Sequence, residues 1–192
     1  MLAEISNTNS FLRSLDIVMQ MSYNHHMVVF DSCTMILLAR IDILEIFISN
    51  YDGKVLIPDR VRAEVLIQGR EEKHLVAKLI EDSKIHVLRV KNSKLVNKLM
   101  NDFSIDAGEA EAVTLVLQEK ATLVATDDRN AIRACKILKI DFTTAIVFLL
   151  RAFEKNLIEK DETIAKLQKL ISIARYEQAI IEDARRRIEG GI

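Results

Sequence analysis

The chain has 192 residues, a length that suits one domain, and 49% of them are hydrophobic, which is enough to bury a substantial core. With 27 Lys and Arg against 28 Asp and Glu, the net charge is −1. This balance excludes a protein that attracts nucleic acid through overall positive charge, so RNA or DNA would need a local basic patch or a bound cation.

The sequence contains no apolar run that approaches the ~18 residues of a membrane span. Its first residues lack the basic lead and long apolar stretch of a signal peptide. Cys33 and Cys135 form no CxxC motif and have no His at zinc spacing, so we expect free thiols, with Cys33 packed. Together these features predict a cytoplasmic protein with no membrane partner.

Apolar residues at helical spacing predict a short helix within residues 8–22, which belongs to an N-terminal helical appendage over 1–26. The core pattern starts at Met27. In the first half of the core, short apolar strands alternate with helices, and Pro58 opens a helix at its first turn. The predicted elements are strands at 28–30, 54–57 and 85–90 and helices at 33–50, after Pro58, and at 71–82.

The second half continues the alternation up to a long C-terminal helix. The predicted elements are helices at 93–103, 106–119, 128–138 and 144–155, strands at 122–125 and 140–142, and one final helix at 161–189. The final helix carries an apolar stripe from Ile164 to Ile188, which we expect to pack on the chain's own core rather than on a second subunit. The predicted domains are therefore 27–156 and a helical extension, 157–192, packed on the domain or at a dimer interface.

Short apolar strands that alternate with helices indicate an α/β fold with a parallel sheet covered on both faces. Functional sites in such folds form beyond the carboxyl ends of the strands. Asp31 and the pair Asp127-Asp128 directly follow predicted strands, so they can face the same end of the sheet. Glu64 and Glu109 lie in the early turns of helices, and the sequence does not show whether those helices start at that end.

Two interpretations of these acids stay open. Asp is an ordinary helix N-cap, so Asp31 could simply cap the helix after it, and Asp106 with Glu109 fits a capping box. Thr126 or Asp127 could cap the helix from Asp128, and Glu64 could be an exposed helical residue. If the acids instead converge, two carboxylates ~5 Å apart repel by ~3 kcal/mol at an effective dielectric constant of ~20, and a divalent cation would remove that cost. Such an ion could bind a phosphodiester and activate a water molecule.

Other phosphate-handling motifs are absent from the sequence. It contains no GxxxxGK[ST] loop and no GxGxxG after the first strand. A phosphatase with an Asp-x-Asp pair after that strand would need an acid at position 33, which is Cys33.

Four segments together resemble the PIN-domain ribonucleases, over about residues 28–155. They are Val28-Val-Phe-Asp31-Ser32, Leu56-Ile-Pro58 with Val61-Arg-Ala-Glu64-Val65, Gly108-Glu109-Ala-Glu-Ala112, and Thr126-Asp127-Asp128-Arg129. The resemblance implies a three-layer α/β/α sandwich and Mg²⁺- or Mn²⁺-dependent hydrolysis of RNA. It also implies a homodimer and the toxin role of a toxin–antitoxin pair, restrained by a small antitoxin protein.

Carried over by position, the resemblance assigns the acidic catalytic and metal-binding set to Asp31, Glu64, Glu109 and Asp128, with Asp127 as an alternate metal ligand. Ser32 and Thr126 would support these acids. Apart from the resemblance, two interpretations of Arg129, Arg133 and Lys136 stay open: they could hold the RNA backbone, or they could simply form a solvated helix face. We interpret Asp106 as a cap. Glu111 is turned about 200° from Glu109 on the same helix. The main hypothesis is a metal-dependent endoribonuclease, and the alternative is a non-catalytic module of the same fold that binds RNA or protein.

Overall fold

A computed structural model describes residues 26–69 and 71–190 of the chain. The helix expected within residues 8–22 lies outside the described residues, as does nearly all of the appendage expected over 1–26.

Five parallel strands form the central sheet, in the order β3-β2-β1-β4-β5. Val29 of the central strand is in register with Leu56 on one side and with Val124 on the other. The parallel sheet predicted from the alternating pattern is therefore confirmed. The strands are β1 (Met27–Phe30), β2 (Lys54–Pro58), β3 (Ile85–Leu88), β4 (Leu123–Ala125) and β5 (Phe142–Thr143).

Ten helices of the described residues flank the sheet. They are α1 (Ser32–Arg40), α2 (Leu44–Ser49), α3 (Asp59–Val65), α4 (Lys73–Glu81), α5 (Ser93–Phe103), α6 (Ala107–Glu119), α7 (Arg129–Leu138), α8 (Ala145–Glu154), α9 (Lys160–Ile173) and α10 (Gln178–Glu189). None of them is long and apolar enough to cross a membrane.

Alternate side chains of each strand enter two separate cores. Val28 and Phe30 of β1 lie in the larger core, where the Phe30 ring stacks on Phe148 of α8 at a centroid distance of 5.3 Å. Val29 points to the opposite face and packs with side chains of α5, α6 and α7. Helices therefore cover both faces of the sheet, which confirms the three-layer α/β/α sandwich.

The prediction of one continuous helix over 33–50 was wrong, because α1 ends at Arg40 and α2 starts at Leu44. Asp42 lies between them in the left-handed region, at φ 55°. Ile41 and Ile43 on either side of it are fully buried. The turn thus directs two consecutive apolar segments into one core, which a straight helix would not allow.

The single long helix predicted over 161–189 was also wrong. Ala174 has extended backbone angles (φ −133°, ψ 158°), and the chain resumes a helical path at Gln178. The break contains neither Gly nor Pro, so we attribute it to tertiary packing. Leu167 and Leu170 of α9 and Ala184 and Ile188 of α10 all enter the larger core, and the two helices reach it along different directions only because the chain turns.

Smaller differences concern element ends and one thiol. Pro58 ends β2 and is the N-cap of α3 instead of lying in its first turn. The fifth strand is Phe142–Thr143 rather than 140–142. Both cysteines are free thiols, as expected, but Cys33 is exposed rather than packed, because it lies on the outer side of the first turn of α1.

The chain reverses its direction of winding at β1. From β1 it proceeds to β2 on one side, and it later returns to form β4 on the other side. The helix after β1 enters the larger core, whereas the helix after β4 packs on the opposite face. Such a reversal leaves a crevice beyond the carboxyl ends of the two strands, the usual place for a site in open α/β sheets.

Candidate active site

Asp31 lies at the carboxyl end of the central strand and caps α1. Its backbone N–H donates to the carbonyl of Ala125 on β4 at 3.0 Å, and its Oδ1 accepts the N–H of Thr34 at 2.7 Å. Its side chain is buried, and Oδ2 has no hydrogen-bond partner among the described residues. A buried carboxylate oxygen without a donor is unfavourable, and a cation or water would satisfy it.

Burial is also the main reason that the pKa of Asp31 is raised from 3.8 to about 7. The nearby hydroxyl of Thr126 and the N–H of Thr34 oppose this rise, because they favour the charged form. The negative charge of Asp127 adds to it. The site therefore holds an acid whose ionised form lacks compensation from positive groups.

The segment after β4 supplies two carboxylates with different surroundings. Asp128 is the N-cap of α7, and its Oδ1 accepts the N–H groups of Asn130 and Ala131, both at 2.8 Å. Asp127 instead points inward, where it accepts three hydrogen bonds from other elements. The hydroxyl of Thr126 accepts the N–H of Asp128 at 3.3 Å and so links this segment to the neighbourhood of Asp31.

Glu109 lies in the first turn of α6 and forms a capping box with Asp106. Glu109 Oε2 accepts the N–H of Asp106, and Asp106 Oδ1 accepts the N–H of Glu109, each at 2.9 Å. The pKa of Glu109 is raised to about 7, chiefly by burial and further by the charges of Asp128, Asp106 and Asp31. Because Asp128 and Asp31 act on Glu109, the amino end of α6 faces the carboxyl ends of β1 and β4.

Glu64 reaches the same region from α3. A Cβ placed on Gly108 would lie 2.6 Å from Glu64 Oε2 and 2.8 Å from Oε1, so the carboxylate rests directly on the Gly108 backbone. Gly108 directly precedes Glu109, so Glu64 meets the backbone of α6 one residue before that acid. Glycine is an unfavourable residue in a helix, and that was the one signal in the sequence that could have pointed to this contact.

The capping interpretation is confirmed for Asp31 and for the capping box of Asp106 with Glu109. It was wrong for Thr126 and Asp127, because Asp128 itself is the N-cap of α7. Capping does not occupy every carboxylate oxygen. Of the capping acids at the strand ends, Asp31 keeps an unpartnered Oδ2, and the cap of Asp128 uses only Oδ1.

Glu111 lies on α6 two residues after Glu109, and its Oε1 pairs with Arg60 of α3 at 3.3 Å. Its orientation away from Glu109 stays a prediction. Ser32 is the first residue of α1, directly after Asp31. Arg129, Arg133 and Lys136 are exposed on α7, and the Lys136 ammonium lies 5.9 Å from the centroid of the Phe142 ring. Sequence reasoning missed two hydrogen-bond donors of this region, Thr34 and Tyr176, because neither belongs to a recognisable motif.

The donor chemistry of this region fits a hard divalent cation. Carboxylate oxygens are the ligands that Mg²⁺ and Mn²⁺ prefer, and Mg²⁺ usually keeps several waters of its own. The unpartnered Oδ2 of Asp31 is a free ligand atom of this kind. As the side chains stand, however, no three His, Cys, Asp or Glu residues of the described part of the chain are grouped tightly enough to hold a metal ion by themselves.

A protein-family model matches most of the chain. Residues 27–189 match the family model DUF3368, described as a PIN domain. The match covers the sheet, all four acidic segments and also helices α9 and α10, beyond the 28–155 over which the sequence motifs extend. A search of curated proteins found no matching protein.

Proposed function

Because the chain belongs to the PIN-domain family, whose members are generally nucleases, we propose that it is a metal-dependent endoribonuclease that hydrolyses RNA phosphodiester bonds. The observation that carries this proposal is Asp31. Its carboxylate is buried at the switch point of the sheet, close to the charge of Asp127, with one oxygen unpartnered among the described residues. Ser or Asn would cap the helix as well as Asp does, so capping alone does not account for a buried second carboxylate oxygen.

Asp31, Glu64, Glu109 and Asp128 are the residues that would hold Mg²⁺ or Mn²⁺, with Asp127 as the alternate ligand. When bound, the ion would lower the pKa of a water molecule and stabilise the departing oxygen of the phosphodiester. The chain's own contribution is to fix these carboxylates. The capping bonds orient Asp31, Glu109 and Asp128, and Thr126 supports the segment between β4 and α7.

The exposed cations of α7 would hold the RNA backbone. This helix starts immediately after Asp128, and Arg129 lies in its first turn, with Arg133 one turn further on. A phosphate at the acidic group would therefore lie near the same helix. Since the net charge of the chain is close to zero, this local set of cations would provide the attraction that the protein as a whole lacks.

Asp31→Asn and Asp128→Asn test the proposal. Each keeps the shape and an oxygen acceptor for the cap but removes the negative charge. We expect RNA cleavage by the wild-type chain with Mn²⁺, none with EDTA, and none by either variant with Mn²⁺. Glu111→Gln, which changes an acid of α6 that pairs with Arg60 and is not among the assigned ligands, is the matched control and should cleave normally. Undiminished cleavage by both Asn variants would refute the assignment.

A second candidate is a non-catalytic PIN-fold module that binds RNA or protein. It is favoured by the lack, in the described residues, of a ready metal-binding group of three side chains. The same experiment separates the two functions. RNA binding without cleavage by the wild-type chain, at every Mn²⁺ and Mg²⁺ concentration tested, would support the binding module.

We also propose that the chain is a cytoplasmic homodimer and the toxin of a toxin–antitoxin pair, with a small antitoxin protein as partner. The support is the resemblance of its four acidic segments to toxin-like PIN domains. Expression of the wild-type chain in a bacterial host should arrest growth, and expression of Asp31→Asn should not. Light scattering on the purified chain would give the oligomeric state, and a monomer would refute the dimer.

A further inference from the structure

Behind the acidic site, the carboxylate of Asp127 is the meeting point of four separate elements. Its Oδ2 accepts the hydroxyl of Thr34 on α1 at 3.0 Å and the N–H of Ala145, the first residue of α8, at 2.9 Å. Its Oδ1 accepts the hydroxyl of Tyr176 at 2.5 Å. Asp127 itself lies between β4 and α7. Three donors from three elements thus fix one carboxylate next to the acidic site.

Tyr176 is the most distant of these donors in the sequence. It lies in the connector between α9 and α10, where the chain leaves the helical path at Ala174. Its ring packs against the larger core, and its hydroxyl bonds to Asp127. The break between the last two helices therefore has a structural consequence, because it carries a hydroxyl group from the C-terminal helices to the edge of the acidic site.

Asp127 shares a peptide unit with Asp128, and Thr34 links it to Asp31. The hydroxyl of Thr34 donates to Asp127 Oδ2 at 3.0 Å, and the N–H of Thr34 donates to Asp31 Oδ1 at 2.7 Å. An Asp127 carboxylate released from its donors would turn, and the peptide that positions Asp128 would turn with it. Partners of this kind behind a ligand set its orientation, and their loss typically costs about 10- to 100-fold in metal affinity or activity.

We propose that Tyr176 is a positioning residue of the acidic site: its hydroxyl fixes Asp127, and through Asp127 it sets the placement of Asp128 and Asp31 for cation binding. The C-terminal helices are then a working part of the site rather than an attached extension. The expected change in RNA cleavage rests on the proposed nuclease function, whereas the expected change in Mn²⁺ affinity does not.

Tyr176→Phe in the full chain tests the inference, because it removes the hydroxyl and keeps the ring in the core. Titration with Mn²⁺ alone, followed by calorimetry, should show about tenfold weaker binding than the wild type. In RNA cleavage, kcat should fall by a similar factor. KM for RNA should stay unchanged, since Tyr176 bonds to Asp127 and the cations that would hold RNA are exposed side chains of α7. Thr34→Val, which removes a second donor to Asp127, should weaken Mn²⁺ binding in the same direction.

Tyr51→Phe is the matched control. Tyr51 packs against the same core, but its buried hydroxyl has no hydrogen-bond partner in the described residues. This variant should bind Mn²⁺ as the wild type does. A merely structural role of Tyr176 would lower the melting temperature and leave Mn²⁺ affinity and kcat of the folded protein unchanged.

The inference is overturned if Tyr176→Phe binds Mn²⁺ within twofold of the wild type or if Tyr51→Phe loses affinity equally. A wild-type chain that binds Mn²⁺ but cleaves no RNA would overturn the proposed nuclease function alone, and the Mn²⁺ affinities would still decide the role of Tyr176. A wild-type chain that binds no Mn²⁺ would overturn both.

Discussion

The carboxylate of Glu64 rests on the backbone of Gly108, so closely that a methyl group at position 108 would lie 2.6 Å from Oε2. The two residues belong to α3 and α6, which otherwise meet through the pair of Arg60 and Glu111. The absence of a side chain at 108 is what allows Glu64 of α3 to lie against the first turn of α6, the turn that carries Glu109.

Gly108→Ala should therefore impair the site more than the fold. In an ordinary helical position this change stabilises by about 1 kcal/mol. Here the added methyl meets the far end of the flexible Glu64 side chain, which can move aside at little cost. We expect a free energy of unfolding, measured with urea, that is no lower than that of the wild type, and Mn²⁺ binding weakened by about tenfold because Glu64 is displaced.

Glu64→Ala provides the control for this effect, because it removes the group that the methyl would meet. In the Glu64→Ala background, Gly108→Ala should leave the Mn²⁺ affinity unchanged. The effects of the two changes on Mn²⁺ affinity should thus be strongly non-additive, as expected for residues in contact. Equal weakening of Mn²⁺ binding by Gly108→Ala in both backgrounds would show that the Glu64 contact is not the cause.

Local patterns were sufficient to predict most elements of this fold. Apolar runs predict the strands β1 and β2, and periodicity with capping residues predicts the helices α5 and α6. The capping box of Asp106 and Glu109 is visible in the sequence itself. Such signals lie within a few residues of the structure that they specify, so no tertiary information is needed to read them.

The breaks at Asp42 and Ala174 could not be predicted in the same way. Neither contains Gly or Pro, and both segments continue a helical pattern of apolar residues. The chain turns there because two segments must enter one core, and because Tyr176 bonds to Asp127, 49 residues away. The contact of Glu64 with Gly108 likewise joins two elements, so its partner could not be identified from spacing alone.

The metal-free protein should lose stability as the pH rises. The pKa of Asp31 is about 7 in the folded chain against an unperturbed value of 3.8, so between these values the folded state holds a proton that the unfolded state has released. Its stabilising contribution is complete below pH 3.8 and is lost as the pH rises through about 7. Asp31 alone then gives a slope of up to about 1.4 kcal/mol per pH unit.

Urea unfolding in EDTA at pH 5.5, 6.5, 7.5 and 8.5 measures this dependence. Asp31→Asn removes the titrating group and should show a shallower decline than the wild type. Glu109, whose pKa is also about 7, acts in the same direction. Added Mn²⁺ should stabilise the wild type more at pH 8.5 than at pH 5.5, because only the ionised acids bind it. Identical pH profiles of wild type and Asp31→Asn would contradict the raised pKa.

Arg129→Ala and Arg133→Ala should weaken RNA binding across sequences, because contacts to phosphate carry no base information. Each lost contact should reduce the slope of log K against log salt by about 0.7 for a single strand. Filter binding of a labelled RNA over a salt series, in EDTA to prevent cleavage, measures both. Arg185→Ala, an exposed arginine of α10, is the control, and an equal loss there would indicate non-specific attraction.

The neighbours Asp127 and Asp128 should respond differently to removal of the carboxylate. Asp127→Ala leaves the N–H of Ala145 without its acceptor and abolishes the bonds from Thr34 and Tyr176, so we expect destabilisation by about 2–3 kcal/mol. Asp128→Ala removes the cap of α7 and should cost only about 1 kcal/mol, but it should abolish cleavage. Urea unfolding and RNA cleavage on the same preparations separate the two roles. A larger loss of stability for Asp128→Ala than for Asp127→Ala would reverse the assignment, and Asp127 would then be the residue exposed to the cation.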